Sequence, residues 1–474
     1  MRSDNTLPVD DDVISRIFTS LPDFDSLYAT ILTCRHLHSI FKAFPVSIMH
    51  AVAENLVGPA LPDALNALRH PDVEPPGVDF TPDWCSTSTG VTRIHPWEIC
   101  PLVKTAQEID YLERLFSIKF KDRRTDLMKE SKLSAIESLR FRRAMYRIIF
   151  FSLVFCFDDP TPYASVNFQE WDLVAVRAAR ERYLRQWPVR ELKEIHAAAR
   201  FLYLLMCNSL DGEDPPTPFG PIKIIRGPSL VLDAYRQRSA IPGPHDYMFS
   251  DENWQHFVDG FLERTLSEIL ASDPPNGESL FGGVILDSGV ILDSVHGKED
   301  ACSWCSQTHG VALYGCSNLE MLRDVQRLSP YQLPSAFKGN LRRNSVEGPK
   351  IVDFFEDAHA CSCPLFPTDE DSETDECFRY TKLIGSLFAI RARELDIPEK
   401  SIGDQALCED CVWQLVTDYT HLWWLQRMRD RGQAIPTENC WYGYECRTQI
   451  HKRGHATRLN HFCAPAPPKN HPLN

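Results

Sequence analysis

The amino terminus, MRSDNTLPVDDD, carries acid where a secretory leader would place a basic stretch and then an apolar run. No uninterrupted run reaches the ~18 apolar residues that a membrane crossing needs. The segment that comes nearest, YRIIFFSLVFCF from Tyr146 to Phe157, reads as a buried helix. Positive charge is also in deficit: 50 Lys and Arg against 65 Asp and Glu leave a net −15, which argues against a broadly electropositive nucleic-acid surface. No phosphate loop, nucleophile elbow or paired-carboxylate site stands out, and no Cys/His pair sits in a catalytic context. Leucine-rich, WD and kelch periods are absent, so the common target-reading repeats are excluded. Together these gaps lead us to expect a non-catalytic protein of the cytosol or nucleus with no membrane partner.

What is present suits a folded chain: 43% hydrophobic and 24% charged residues over 474 positions, enough for two to four domains. The 34 prolines imply many irregular connections. In a reducing compartment, clustered cysteines point to metal before disulfide. Eleven of the sixteen lie beyond residue 300.

The segment LPVDDDVISRIFTSLPDFDSLYATILTCRHLHSIFKAF predicts three short helices. Asp10 to Asp12 supply an N-cap and first-turn acid. Val13, Ile14, Ile17, Phe18 and Leu21 then recur at helical spacing, and Pro22 stops the run. Leu27, Ile31 and Leu32 form a second stripe, and Leu37, Ile40, Phe41 and Phe44 a third. So small a unit has little interior, so part of this apolar surface is expected to await a partner.

The order Leu7-Pro8, Ile17-Phe18, Leu21, Leu27, Cys34-Arg35 and a closing Phe41 resembles the F-box pattern over residues 6 to about 48. The resemblance implies docking of Leu7, Pro8, Val13, Ile14, Ile17, Phe18, Leu21, Leu27, Cys34 and Arg35 on a Skp-type adaptor, and through it on a cullin. His36 and His38 are departures that touch none of those positions.

Residues 51–104 are rich in proline and polar side chains and read as a connection. Helical patterns return over 105–300, with an arginine-rich face beside Leu192, Ile195, Ala199, Leu202 and Met206 that we expect to be solvated. The unit Val-Ile-Leu-Asp-Ser occurs twice between Gly282 and Val295, which is either a local duplication or a hairpin about Gly289. Six acids between Asp369 and Glu376 read as a solvated loop.

In the Cys/His-rich region 301–474, Cys302-x2-Cys305 and Cys408-x2-Cys411 are two knuckles able to share one tetrahedral zinc. Cys316, Cys361, Cys363, Cys377 and His309 are competing donors. Nearer the carboxyl end, Cys440-x5-Cys446 and His455-x5-His461 offer two thiolates and two imidazoles, with His451 or Cys463 as alternates. From His421 onward, eight Lys/Arg stand against three Asp/Glu, a basic tail on an acidic body.

With Tyr442-Gly443 between its cysteines, segment 438–465 is similar to the poly(ADP-ribose)-binding zinc finger. The link from Cys446 to His455 is two residues longer than that family's, and Arg447 stands where it has an aromatic ring. An anionic, adenine-bearing ligand would meet Tyr442 by stacking and Arg447 by charge.

The expectation is therefore a mainly α protein: an N-terminal three-helix F-box over 1–50, a helical middle domain and an irregular zinc-bound C-terminal region. It would be the substrate-recruiting subunit of an SCF-type ubiquitin ligase, not an enzyme, with an unidentified protein target. The alternative is a zinc-dependent poly(ADP-ribose) or nucleic-acid binder.

Overall fold

A computed structural model describes residues 10–69, 93–121, 131–155, 173–209, 227–237, 262–271, 288–295, 297–315, 318–360, 378–396 and 405–466. The architecture is mainly α, and among the described residues no single helix is long and apolar enough to cross a membrane. Leu7, Pro8, the first Val-Ile-Leu-Asp copy and the acidic run lie outside the described residues.

Helix α1 (Asp11–Thr19) starts where the Asp10 carboxylate accepts from the Asp12 N–H at 3.1 Å. Asp23 caps α2 (Phe24–Thr33) in the same way, through the Ser26 N–H at 2.7 Å. Helix α3 (Arg35–Ala43) follows after an extended Cys34. These three helices do not form a separate unit. Ile14, Phe18, Phe24, Leu27 and Ile40 share one core with α4 (Pro45–Val57), α5 (Leu61–Leu68) and the helices beyond. Asn55 of α4 donates to the Thr19 and Leu21 carbonyls, both at 2.8 Å, and so closes the exposed end of α1.

The stretch 51–104 is thus only partly a connection. Helix α4 runs through its start, α5 lies inside it, and α6 (Pro96–Phe120) begins before its end. The prolines mislead because two of them open helices: Pro62 and Pro96, like Pro45 before the stretch, sit in first turns, where the missing N–H would have had no partner in any case. Arg69 then joins α5 to α6 with a two-pronged pair to Glu98 at 2.6 and 2.9 Å, which holds that carboxyl below its usual range.

Helices α6, α7 (Ala135–Phe155) and α9 (Val189–Ser209) meet at Phe116, Phe141 and Phe201, with ring centroids 5.0–5.9 Å apart. Helix α8 (Leu173–Arg185), α10 (Pro228–Gln237) and α11 (Glu263–Ala271) complete this body. The arginine-rich face is not uniformly solvated: Arg180 is buried with its guanidinium 5.9 Å from the Phe155 ring, while Arg177, Arg182 and Arg190 are exposed. Residues Ser288–Val290 form a short 3-10 turn, and the first repeat copy, which a hairpin about Gly289 would need, lies outside the described residues. Ile291 and Leu292 of the second repeat copy plug the helical core.

From Cys302 onward a second core gathers around α12 (Glu347–Ala360), α13 (Tyr380–Glu394), α14 (Glu409–Asp430) and a two-residue antiparallel pair, β1 (Leu313–Tyr314) with β2 (Leu407–Cys408). The segment 319–324 links the two cores. Met321 enters the first and Leu322 the second, and Asp324 receives Lys119 at 3.4 Å and the Tyr235 hydroxyl at 3.2 Å.

Glu137 is the polar hub of the helical body. Its buried carboxylate accepts from Lys121, from the Ser134 N–H at 2.7 Å and from the Asp293 N–H at 2.9 Å. Burial pushes its pKa up, but these donors outweigh burial and hold it at about 2, against an ordinary 4.5. A depressed folded-state pKa stabilises above 4.5, and that stability is lost as pH falls from 4.5 toward 2. Replacing Glu137 by Gln leaves Lys121 charged and unpaired, so we expect a loss of roughly 3 kcal/mol at neutral pH in urea denaturation. The difference between variant and parent should shrink as the pH is lowered through that window.

Candidate metal centres

Two groups of four side chains converge, in each of which the ligand atoms all lie within 4.8 Å of one another. The first joins Cys302, Cys305, Cys408 and Cys411. Residues 302–306 fold as a tight knuckle, in which the Ser306 N–H returns to the Cys302 carbonyl at 2.9 Å. The second knuckle runs from β2 into the first turn of α14. Backbone pairing brings the two together across 103 residues: Ser303 N–H donates to the Ala406 carbonyl at 2.8 Å, and the Ala406 N–H returns to Ser303 Oγ at 3.0 Å.

Cys305 Sγ lies 3.8 Å from Cys408 Sγ. A tetrahedron with metal–sulfur bonds near 2.3 Å has an edge of about 3.8 Å, so this spacing fits a shared ion. The electrostatics agree. Burial raises the Cys302 thiol, yet N–H donors from Cys305, Cys408 and Trp304 outweigh it and bring the pKa to about 6. The last two donate to Cys302 Sγ at 3.3 and 3.5 Å. Three donors on one sulfur suit a thiolate, whereas burial raises Cys408 and Cys411 and leaves those thiols in need of a cation. His309 Nε2 lies 3.9 Å from Cys305 Sγ and stands outside the four. Cys316, Cys361, Cys363 and Cys377 lie outside the described residues.

The second group is Cys440, Cys446, His455 and His461. His455 Nε2 is 3.6 Å from Cys440 Sγ and 3.4 Å from Cys446 Sγ, against about 3.6 Å for the edge of a mixed sulfur–nitrogen tetrahedron. His461 is buried, its pKa is lowered to about 4 by burial and then by His455, and neither ring nitrogen has a hydrogen-bond partner among the described residues. A buried imidazole left this way is costly, and a metal bond supplies what it lacks. His451 is exposed, and the Cys463 thiol points at the Asn460 and Cys440 carbonyls at 3.5 and 3.8 Å, so both alternates stand outside the four.

Backbone pairing again sets the ligands. Asn460 N–H donates to the Glu438 carbonyl and Cys440 N–H to the Asn460 carbonyl, both at 2.8 Å, and Tyr444 N–H to the Cys463 carbonyl at 3.0 Å. At Gly443 (φ 43°) an added Cβ would fall 2.0 Å from the Cys463 carbonyl oxygen, so only glycine fits there. Short helices α15 (Thr448–His451) and α16 (Arg453–Arg458) carry the chain to His455.

The module is fastened to the second core by contacts that local spacing could not reveal. Asn340 N–H donates to the Tyr444 carbonyl at 2.8 Å, and buried Asn344 bonds buried Gln449 at 2.8 Å, 105 residues away. Tyr442, 63% exposed, and Arg447, also exposed, face solvent beside the ligands. A centre closed by four protein donors leaves no position for a bound water, so neither group is built for hydrolysis.

The residues expected to dock an adaptor divide. Ile14, Phe18 and Leu27 are consumed by the chain's own core, Leu21 and Cys34 are half-buried, and Val13, Ile17 and Arg35 are exposed.

Metal analysis of the purified chain should find two ions, one per group. Cys408→Ser should remove the first and spare the second, whereas Gly443→Ala should do the reverse, read as metal-to-protein ratio by plasma mass spectrometry. No family model, curated protein or solved structure matches the chain, so its own geometry carries the functional argument.

Proposed function

We propose that the chain is the substrate-recruiting, non-catalytic subunit of a Skp–cullin–F-box ubiquitin ligase, with two structural zinc ions holding its C-terminal region. One observation carries the docking half of this reading. On α1, Val13 and Ile17 are 47% and 50% exposed, while their neighbours Ile14 and Phe18 are buried at 3% and 0%. The helix is therefore apolar on two faces, one packed at home and one free for a partner helix. Tyr28 and Leu32 on α2, the latter 82% exposed, add to the apolar surface of the same three helices. The resemblance of residues 6 to about 48 to the F-box pattern names the partner.

Zinc is favoured because thiolate and imidazole donors at tetrahedral spacing are the set this redox-inert ion prefers. Its role is to hold loops whose helices are too short and too few to do so.

Affinity purification of the intact chain from cells should recover a Skp-type adaptor and a cullin. The pair Val13→Asp and Ile17→Asp, placed outside the core, should cut adaptor affinity at least ~30-fold, the equivalent of about 2 kcal/mol, without lowering the unfolding midpoint. Recovery of neither subunit would overturn the reading.

A second reading, binding of poly(ADP-ribose) or nucleic acid by the 438–465 module, is favoured by the exposure of Tyr442 beside Arg447. It requires that Tyr442→Ala with Arg447→Ala abolish retention of the polymer on immobilised protein, and that retention survive Val13→Asp with Ile17→Asp.

A further inference from the structure

A cleft of about 520 Å³ opens between the start of α9 and the turn carrying the second repeat copy. Its polar lining is Arg140, Arg190, Lys193 and Asp293, and its apolar lining is Val189, Val290 and Leu292. Three cations face one carboxylate, in a chain whose overall charge is −15.

The cations are not equally engaged. Arg140 is held by Asp293 Oδ1 at 2.6 Å and by the Ile291 carbonyl at 3.1 Å, which neutralises the one acid in the lining. Arg190 lies 3.8 Å from Glu194 Oε1, but Glu194 is already bound by Arg143 at 2.5 Å, and the Arg190 side chain is 67% exposed. Lys193, also exposed, makes no ion pair among the described residues. Three residues apart on α9, Arg190 and Lys193 share a face.

We infer that this cleft binds an acidic peptide in which aliphatic residues alternate with carboxylates. Arg190 and Lys193 receive the acids, and Val189 and Val290 receive the aliphatic side chains. Charge supplies orientation and selectivity, and the volume lies in the range of formed ligand sites. That such a peptide belongs to a ubiquitination target rests on the function proposed above; the binding itself does not.

The probe is a fluorescein-labelled hexapeptide of alternating leucine and aspartate, titrated into the intact chain and followed by polarisation. Its counterpart with asparagine for aspartate should bind at least tenfold more weakly, and so should the original peptide to Arg190→Glu, Lys193→Glu protein. Lys193→Ala alone, which barely perturbs the fold, should weaken binding several-fold. Equal binding of both peptides, indifference to the variants, or full displacement by millimolar inorganic phosphate would overturn the assignment. Adaptor recovery is read separately on the same variants and should not change. A peptide result without an adaptor would therefore sink only the ligase reading, and the converse only this one.

Discussion

Four thiols held within 4.8 Å of one another, as at Cys302, Cys305, Cys408 and Cys411, cannot all become thiolates unless a cation stands among them. Two thiolates 3.8 Å apart repel by roughly 4 kcal/mol at an effective dielectric of 20, and the Cys302 group contains six such pairs. Backbone donors relieve Cys302 and, in part, Cys408, through the N–H of Cys411. They do not relieve Cys411, which burial and its neighbours drive the other way. The fold brings these sulfurs together through β1, β2 and the Ser303–Ala406 exchange, an arrangement whose repulsion a shared metal ion would cancel.

This constraint explains why the C-terminal region is organised unlike the rest. Up to residue 295 the chain is held by long helices with buried aromatic and aliphatic side chains. Beyond it, single 3-10 turns such as Leu319–Asp324 and Leu333–Ala336 separate the few helices. The second group is tied by Asn340, Asn344, Ser345 and Gln449 to the same short turns, so closing that centre also orders the segment that leads into α12. An ion bound by either group would therefore couple its binding to the folding of this region.

How legible this was in the sequence depended on range. Cys440, Cys446, His455 and His461 lie within 22 residues, and their spacing alone assembled a ligand set. The knuckles at Cys302 and Cys408 read as able to share one ion, but the exchange between Ser303 and Ala406 that brings them together spans 103 residues and leaves no local trace. The mainly α class followed from periodicity. Helix α5 and the start of α6 are hidden by the proline content of 51–104, because Pro62 and Pro96 act there as helix starters. The stripe on α1 was found, but not its division: Ile14 and Phe18 differ from Val13 and Ile17 only in which side of the helix the later core occupies. Glu137 was invisible for the same reason, since its three donors come from α6, its own helix start and the turn at Asp293.

The segment 319–324 joins the two ends of the molecule, beside Tyr314, which packs against both cores. Met321 is set in the helical core and Leu322 in the C-terminal core, while Asp324 is held by Lys119 and Tyr235 and the Arg323 guanidinium donates to the Tyr235 carbonyl at 2.7 Å. A single turn anchored on both sides transmits orientation poorly if either anchor loosens, because a six-residue 3-10 helix has almost no stiffness of its own. The C-terminal anchor is part of the core that the Cys302 and Cys408 knuckles close, since both sulfurs belong to the same buried cluster as Leu322. The first candidate metal centre, rather than the more conspicuous second one, is consequently the one that belongs to the core facing the helical body.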